Sequence, residues 1–112
     1  MKPHTPFNEK ITKGLIDIIV LQHLSLQPMH GYQIMAEIRQ NYGVQMSPSI
    51  MYLLLNTLEK QKLIIGEWDI NSEHSRKIYK ITGKGQKLLN QIKESLNLTC
   101  KKLITETEQR QF

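Results

Sequence analysis

Ser47, Ser49, Tyr52 and Asn56 stand two to four residues apart in this chain, and Lys60 follows four further on. A second group, Arg76, Lys77, Lys80 and Lys84, comes soon after. The first group is rich in hydroxyl and amide groups. Such side chains hydrogen-bond base edges, and Asn pairs well with adenine. The second group is cationic. Lys and Arg contacts to phosphate fix register without reading sequence. The pairing implies non-covalent recognition of a nucleic acid and no bond-making chemistry. The groups that catalysis needs are scattered. None of His4, His23, His30 and His74 lies three or four residues from another His or from Cys100. There is no Gly-rich phosphate loop and no metal-ligand spacing. We expect no enzyme, no metal and no cofactor.

Several of these residues also have plainer roles. Tyr52 could be a packed helix aromatic, and Arg76 and Lys77 a solvated hairpin edge. Trp68 reads as a structural residue at the base of a wing. His30 reads as a turn residue, and Cys100 as part of a helix seam and not a redox switch.

The elements that would position the two groups are legible in the spacing. Apolar residues from Ile11 to Leu26 are too dense for one stripe, so a helix from Glu9 to Leu26 is apolar nearly all round. Such a helix is central in its domain or shared with a second subunit. Pro28 breaks it. A second helix runs from Gly31 to Asn41 on Ile34, Met35 and Ile38, and Gly43 supplies its stop. Ser47-Pro48 is a cap followed by a first-turn proline. The third helix then runs to about Lys62, with Met51, Leu54, Leu55 and Leu58 as its core face. Ser49, Tyr52, Leu53, Asn56 and Lys60 fall on or near the other side.

Leu63 to Ile70 and Arg76 to Thr82 read as two strands of a hairpin, with Asn71 to Ser75 as the turn. Tyr79 and Ile81 share one face of the second strand, Arg76, Ile78 and Lys80 the other. Thr82 caps a last helix reaching roughly Gln109. Leu89, Ile92, Leu96, Thr99 and Leu103 repeat along it at threes and fours, and Leu88 and Cys100 widen the seam. About 25 residues of helix span about 38 Å, more than a small wing domain needs for itself. The fold expected is mainly α with a small β-hairpin: a winged helix-turn-helix plus a long C-terminal dimerisation helix. Its parts are a mobile arm (1–8), the DNA-binding domain (9–82) and the dimerisation helix and tail (83–112). The dimer interface is expected at Leu15 and Ile19 of the first helix and at Leu89, Ile92, Leu96, Cys100 and Leu103 of the last.

Composition sets the bounds. A chain of 112 residues with 39% hydrophobic and 6% aromatic content makes one small aliphatic core. Lys and Arg outnumber Asp and Glu by 15 to 10, a net +5 compatible with a polyanion. A single cysteine forms no internal disulfide and gives no sign of secretion. The longest apolar run, Leu15 to Leu21, contains Asp17 and is too short for a bilayer. It lacks a small-residue cleavage site. We expect a cytoplasmic protein without membrane contact.

Four motifs in order carry a family resemblance. They are Pro28-Met29-His30-Gly31-Tyr32; Tyr52 with Leu55, Leu58 and Glu59; Leu63-Ile64 with Trp68; and the run from Arg76 to Gly85. Along nearly its whole length the chain resembles the PadR family of transcriptional regulators. The resemblance implies a winged-helix homodimer that represses transcription and is released by a small molecule. The helix-turn-helix and its basic hairpin place Ser47, Ser49, Tyr52, Asn56, Lys60, Arg76, Lys77 and Lys80 on double-stranded DNA, and a two-fold dimer implies a palindromic operator. A small hydrophobic effector is a further expectation. The chain departs from the family pattern at Ser49-Ile50, where Gly-Thr is usual, at Thr57, where a basic residue is common, and at Lys62, where Gly is usual. Some short members bind flat aromatics through a Trp on the last helix; here the only Trp is Trp68. The alternative is a winged helix that dimerises and binds a protein.

Overall fold

The computed structural model describes residues 11–71, 73 and 76–109, with the side chains of the last helix described through residue 106. The N-terminal arm, the start of the first helix at Glu9, His4, His74, Ser75 and the tail beyond 109 lie outside the described residues. The elements run α1 (Ile16–Leu26), β1 (Met29–His30), α2 (Gly31–Tyr42), α3 (Pro48–Lys60), β2 (Ile64–Asp69), β3 (Arg76–Ile81) and α4 (Gly83–Gln109). Winged helix-turn-helix and long last helix are both present.

The first helix is not continuous. Residues 11–14 are helical, Leu15 turns out of helical geometry at φ −109°, ψ 13°, and α1 starts afresh at Ile16. Gly14 stands just before the break, and Gly weakens a helix interior. Ile19, Val20, Leu21 and Leu24 of α1 are buried, so the helix is central to its own domain. Its buried His23 hydrogen-bonds the Ile19 carbonyl through Nδ1 at 2.8 Å, with Asn41 Nδ2 beside Nε2 at 3.5 Å. One donor and one acceptor fit the Nδ1–H tautomer of a structural histidine.

Sequence spacing leaves Met29–His30 as a break, but the segment is a strand. It pairs antiparallel with β3 as Met29 with Tyr79 and His30 with Ile78, giving a sheet ordered β1-β3-β2. Two residues are too few for a period to register. Tyr79 is thereby held in the middle of the sheet, 2% exposed, opposite Met29 and Gly66. Gly43 ends α2 at φ 68°, and Val44, buried, anchors the short link to α3. Met51, Leu55 and Leu58 of α3 then meet Ile34 and Ile38 of α2 in the core.

The exit of α3 is a Schellman turn. Leu63 N–H reaches the Leu58 carbonyl (3.0 Å) and Lys62 N–H the Glu59 carbonyl (2.9 Å). Lys62 sits at φ 62°, the left-handed region in which glycine is easiest. Thr82 caps α4 as expected: its Oγ1 accepts from Gly85 N–H (3.0 Å) and donates to the Lys62 carbonyl (2.7 Å). A Cβ on Gly85 would collide with the Leu63 carbonyl oxygen.

Leu89 is 0% exposed and Ile19 8%, both inside the core of a single chain. They correct two of the expected interface positions, because neither keeps surface for a partner. Leu15 packs partly against the same core. Beyond Leu89 no residue of α4 through 106 is buried. That helix has 27 residues and spans about 40 Å.

Gly85→Ala is expected to lower stability by about 1–3 kcal/mol, the usual cost of overpacking. Lys62→Gly is expected to raise it by about 0.5–1 kcal/mol by relieving the left-handed backbone. Urea denaturation of both variants measures the two shifts.

Candidate nucleic-acid interface

Local rules place the outer edge of α3. Ser47 caps it by accepting from Ile50 N–H at 3.3 Å, and Pro48 opens the first turn. With Met51, Leu55 and Leu58 turned inward, Ser49, Ile50, Tyr52, Leu53, Asn56 and Lys60 are exposed. Tyr52 is packed on one side and open on the other. Its ring lies so close to Gly31 that a Cβ there would stand 2.7–2.9 Å from ring atoms, yet the residue remains 40% exposed. The His-Gly-Tyr corner therefore serves as a seat for the recognition-helix tyrosine.

His30 orders that corner. Gln33 Oε1 accepts from its backbone N–H at 2.8 Å and lies 2.9 Å from its Nδ1. His30 Nε2 faces Asp69 at 3.6 Å and has no hydrogen-bond partner. The contact ties the turn before α2 to the outer end of β2.

The wing runs from Ile64 opposite Ile81 at its base to Asp69 opposite Arg76 at its outer end. Trp68 pairs with Lys77, one step from that end, and is 62% exposed. It is not a structural residue at the wing base, because its side chain projects from the outer half of the hairpin. The Lys77 ammonium lies 5.6 Å from the centre of its ring, within cation–π range.

Wing and recognition helix enclose an open cleft of about 520 Å³, lined by His30, Tyr32, Tyr52, Asn56, Trp68 and Tyr79 together with Arg76 and Lys77. The charges around it are unequal in their commitments. Lys77 Nζ lies 3.6 Å from Glu59, whose other oxygen accepts from Gly66 N–H at 3.2 Å. Lys80 lies 3.6 Å from Glu67. Arg76 and Lys60 make no ion pair among the described residues. Exposed pairs are weak, so phosphate can displace them. Of the cations on α3 and β3, Arg76 and Lys60 are nonetheless the two that start without a carboxylate.

Of the residues predicted for binding, the structure gathers Tyr52, Asn56, Arg76 and Lys77 around the cleft. Ser49 and Lys60 lie on the exposed face of α3, Ser47 serves as its cap, and Lys80 does not line the cleft. Sequence reasoning did not place Tyr32, Tyr79, Glu59 or Asp69 here. Tyr32, Glu59 and Tyr79 had membership of the ordered motifs as their only signal, and Asp69 had none. Lys84 is set apart too: its ammonium donates to the Gln61 carbonyl at 3.0 Å, closing the negative end of α3.

On α4 a second groove, about 330 Å³, is lined by Leu88, Gln91, Ile92, Ser95, Leu96 and Thr99. Cys100 and Leu103 continue outward, both exposed. Among the described residues no cluster of three His, Cys, Asp or Glu could hold a metal. None of the described helices is long and apolar enough to cross a membrane.

Burial, with Glu59 and Tyr52 adding, holds the Tyr79 phenol above its ordinary value of 10.0. The folded chain therefore keeps that proton more tightly than the unfolded chain. This contribution is intact below about pH 10 and is lost as pH rises through the folded value. Thermal melting is expected to fall above pH 10, and to fall less in Tyr79→Phe.

The family model for PadR-like transcriptional regulators matches residues 20–91. No curated protein matches the chain at a significant level. Among solved structures, a PadR-like transcriptional regulator from Bacillus cereus superposes with TM-score 0.77 at 26% identity, over 88% of this chain and 96% of that one. A transcriptional regulator from Clostridium thermocellum gives 0.73 at 29%, over 87% and 93%. A PadR family transcriptional regulator from Eggerthella lenta gives 0.77 at 25%, over 88% and 87%. The match covers the corner, the recognition helix, the wing and the start of α4, and with it this chain belongs to the PadR-like family of transcriptional regulators.

Proposed function

We propose that the protein is a cytoplasmic, homodimeric repressor that binds a palindromic operator in double-stranded DNA. The observation that carries this reading is the shared cleft. An exposed helix edge bearing Ser49, Tyr52 and Asn56 stands beside a wing that ends in Arg76. Recognition helices of this kind enter the major groove and read base edges, while cations beside them hold phosphate. Residues 9–82 form the DNA-binding unit, and 83–112 the dimerisation helix and tail.

Dimerisation is supported by α4. Leu88, Ile92 and Leu96 line a groove on a helix that extends well past its own core, and Leu98, Leu103 and Ile104 are each about 60% exposed. A second copy presents the same face, as two-fold symmetry requires. The seam so defined uses Leu88, Ile92, Leu96, Thr99, Cys100 and Leu103. A small hydrophobic effector would enter between the paired helices, against Leu, Ile and Thr side chains and no Trp.

The protein-interaction reading draws on one observation: Ile50 and Leu53 leave the recognition helix with exposed apolar surface. Duplex binding decides between the two.

Leu96→Asp is expected to give a monomer or an unfolded chain, since each buried leucine contributes on the order of 1.5–3 kcal/mol. Sedimentation that finds the wild type monomeric at micromolar concentration would reject the dimer. The operator is obtained by selecting bound duplexes from random sequence. On it, Arg76→Ala is expected to weaken operator and random duplex by the same factor. Asn56→Ala is expected to narrow the gap between them by about 1–3 kcal/mol. Equal loss on both duplexes in Asn56→Ala would remove Asn56 from base reading.

A further inference from the structure

Two parallel rows run along the exposed side of α3. One holds Ser49, Tyr52, Asn56 and Lys60, and its Tyr52 and Asn56 line the cleft toward the wing. The other holds Ile50, Leu53 and Thr57, at i, i+3 and i+7, and does not line that cleft. Ile50 is 58% exposed and Leu53 67%. Thr57 donates its hydroxyl to the Leu53 carbonyl at 2.9 Å, so its methyl is the group left for a ligand. The second row is therefore apolar through three successive positions.

Single exposed apolar residues are ordinary. An apolar row beside a base-reading row is a different matter, because both would lie against the same groove. The major groove offers one apolar group on its base edges, the 5-methyl of thymine. We propose that Ile50 and Leu53, with the Thr57 methyl, are specificity-determining contacts that read thymine 5-methyl groups in the operator. This inference rests on the DNA-binding reading and gives it a chemistry. Leu53 and Asn56 are one turn apart on adjacent rows. A half-site with neighbouring adenine and thymine therefore satisfies an amide on one row and a methyl contact on the other. A protein partner is the less favoured occupant, because Ser49, Asn56 and Lys60 flank the row with groups suited to a polar, anionic surface.

The test uses the full chain and an operator selected by the wild type. Each thymine of a half-site is replaced in turn by deoxyuridine, which removes only the 5-methyl. At one or two positions per half-site the affinity is expected to fall about fourfold, the factor for one buried methyl-sized group. In the Ile50→Ala, Leu53→Ala double variant the same replacements are expected to cost less. Both side chains are exposed, so the core is untouched, and the wild-type comparison needs no variant at all. Unchanged affinity at every uracil position, with operator binding intact, would overturn the proposal and leave the DNA-binding reading standing. Failure to bind any duplex would overturn both and give the apolar row to a protein partner.

Discussion

The position of the wing depends on the backbone carbonyl of Leu63. It accepts the Thr82 N–H at 3.0 Å, and Gly85 passes it without a Cβ. Around it, Thr82 Oγ1 binds the Lys62 carbonyl and Lys84 binds the Gln61 carbonyl. These contacts join the end of α3 to the start of α4 across the whole hairpin. The strands between them leave and return at fixed points, so their outer end is aimed by the clasp. A buried backbone polar group must find a partner, and here the partners are the neighbouring elements themselves. The left-handed Lys62 is the strain accepted to turn the chain in time.

The second constraint is the corner at Gly31. The lack of a side chain lets the Tyr52 ring settle against the backbone of α2 while its outer face stays in the cleft. Recognition helix, corner and wing are therefore one unit. His30 contributes from both sides, starting α2 and facing Asp69 on the hairpin.

Much of this was legible in the sequence because it is periodic or local. Ser47-Pro48, the core face of α3, Gly43 and Thr82 are each decided by a few neighbouring residues, and they fall where spacing puts them. Non-local facts were not legible. The pairing of Met29–His30 with β3 depends on residues about fifty positions away. Leu89 matches the seam by period but is taken by the core, because a repeat does not say which partner fills it. Charge was misread most easily. The sequence lines up Arg76, Lys77 and Lys80 as equals, whereas Glu59 and Glu67 stand beside two of them. A count of basic residues is blind to such pairing, and the pairing sets how much a phosphate gains.

The central claim is that α3 and the wing read duplex DNA, with Arg76 and Lys60 as the main uncommitted cations. Its most direct test is the affinity of the wild-type protein for operator and random duplex, measured across a range of salt concentrations. Each phosphate contact releases about one counterion. Two protomers, each using these two cations, predict that the logarithm of affinity falls against the logarithm of salt with a slope of roughly four. The operator should stay ahead of random duplex throughout. Equal affinity for both duplexes, or an affinity indifferent to salt, would contradict the account.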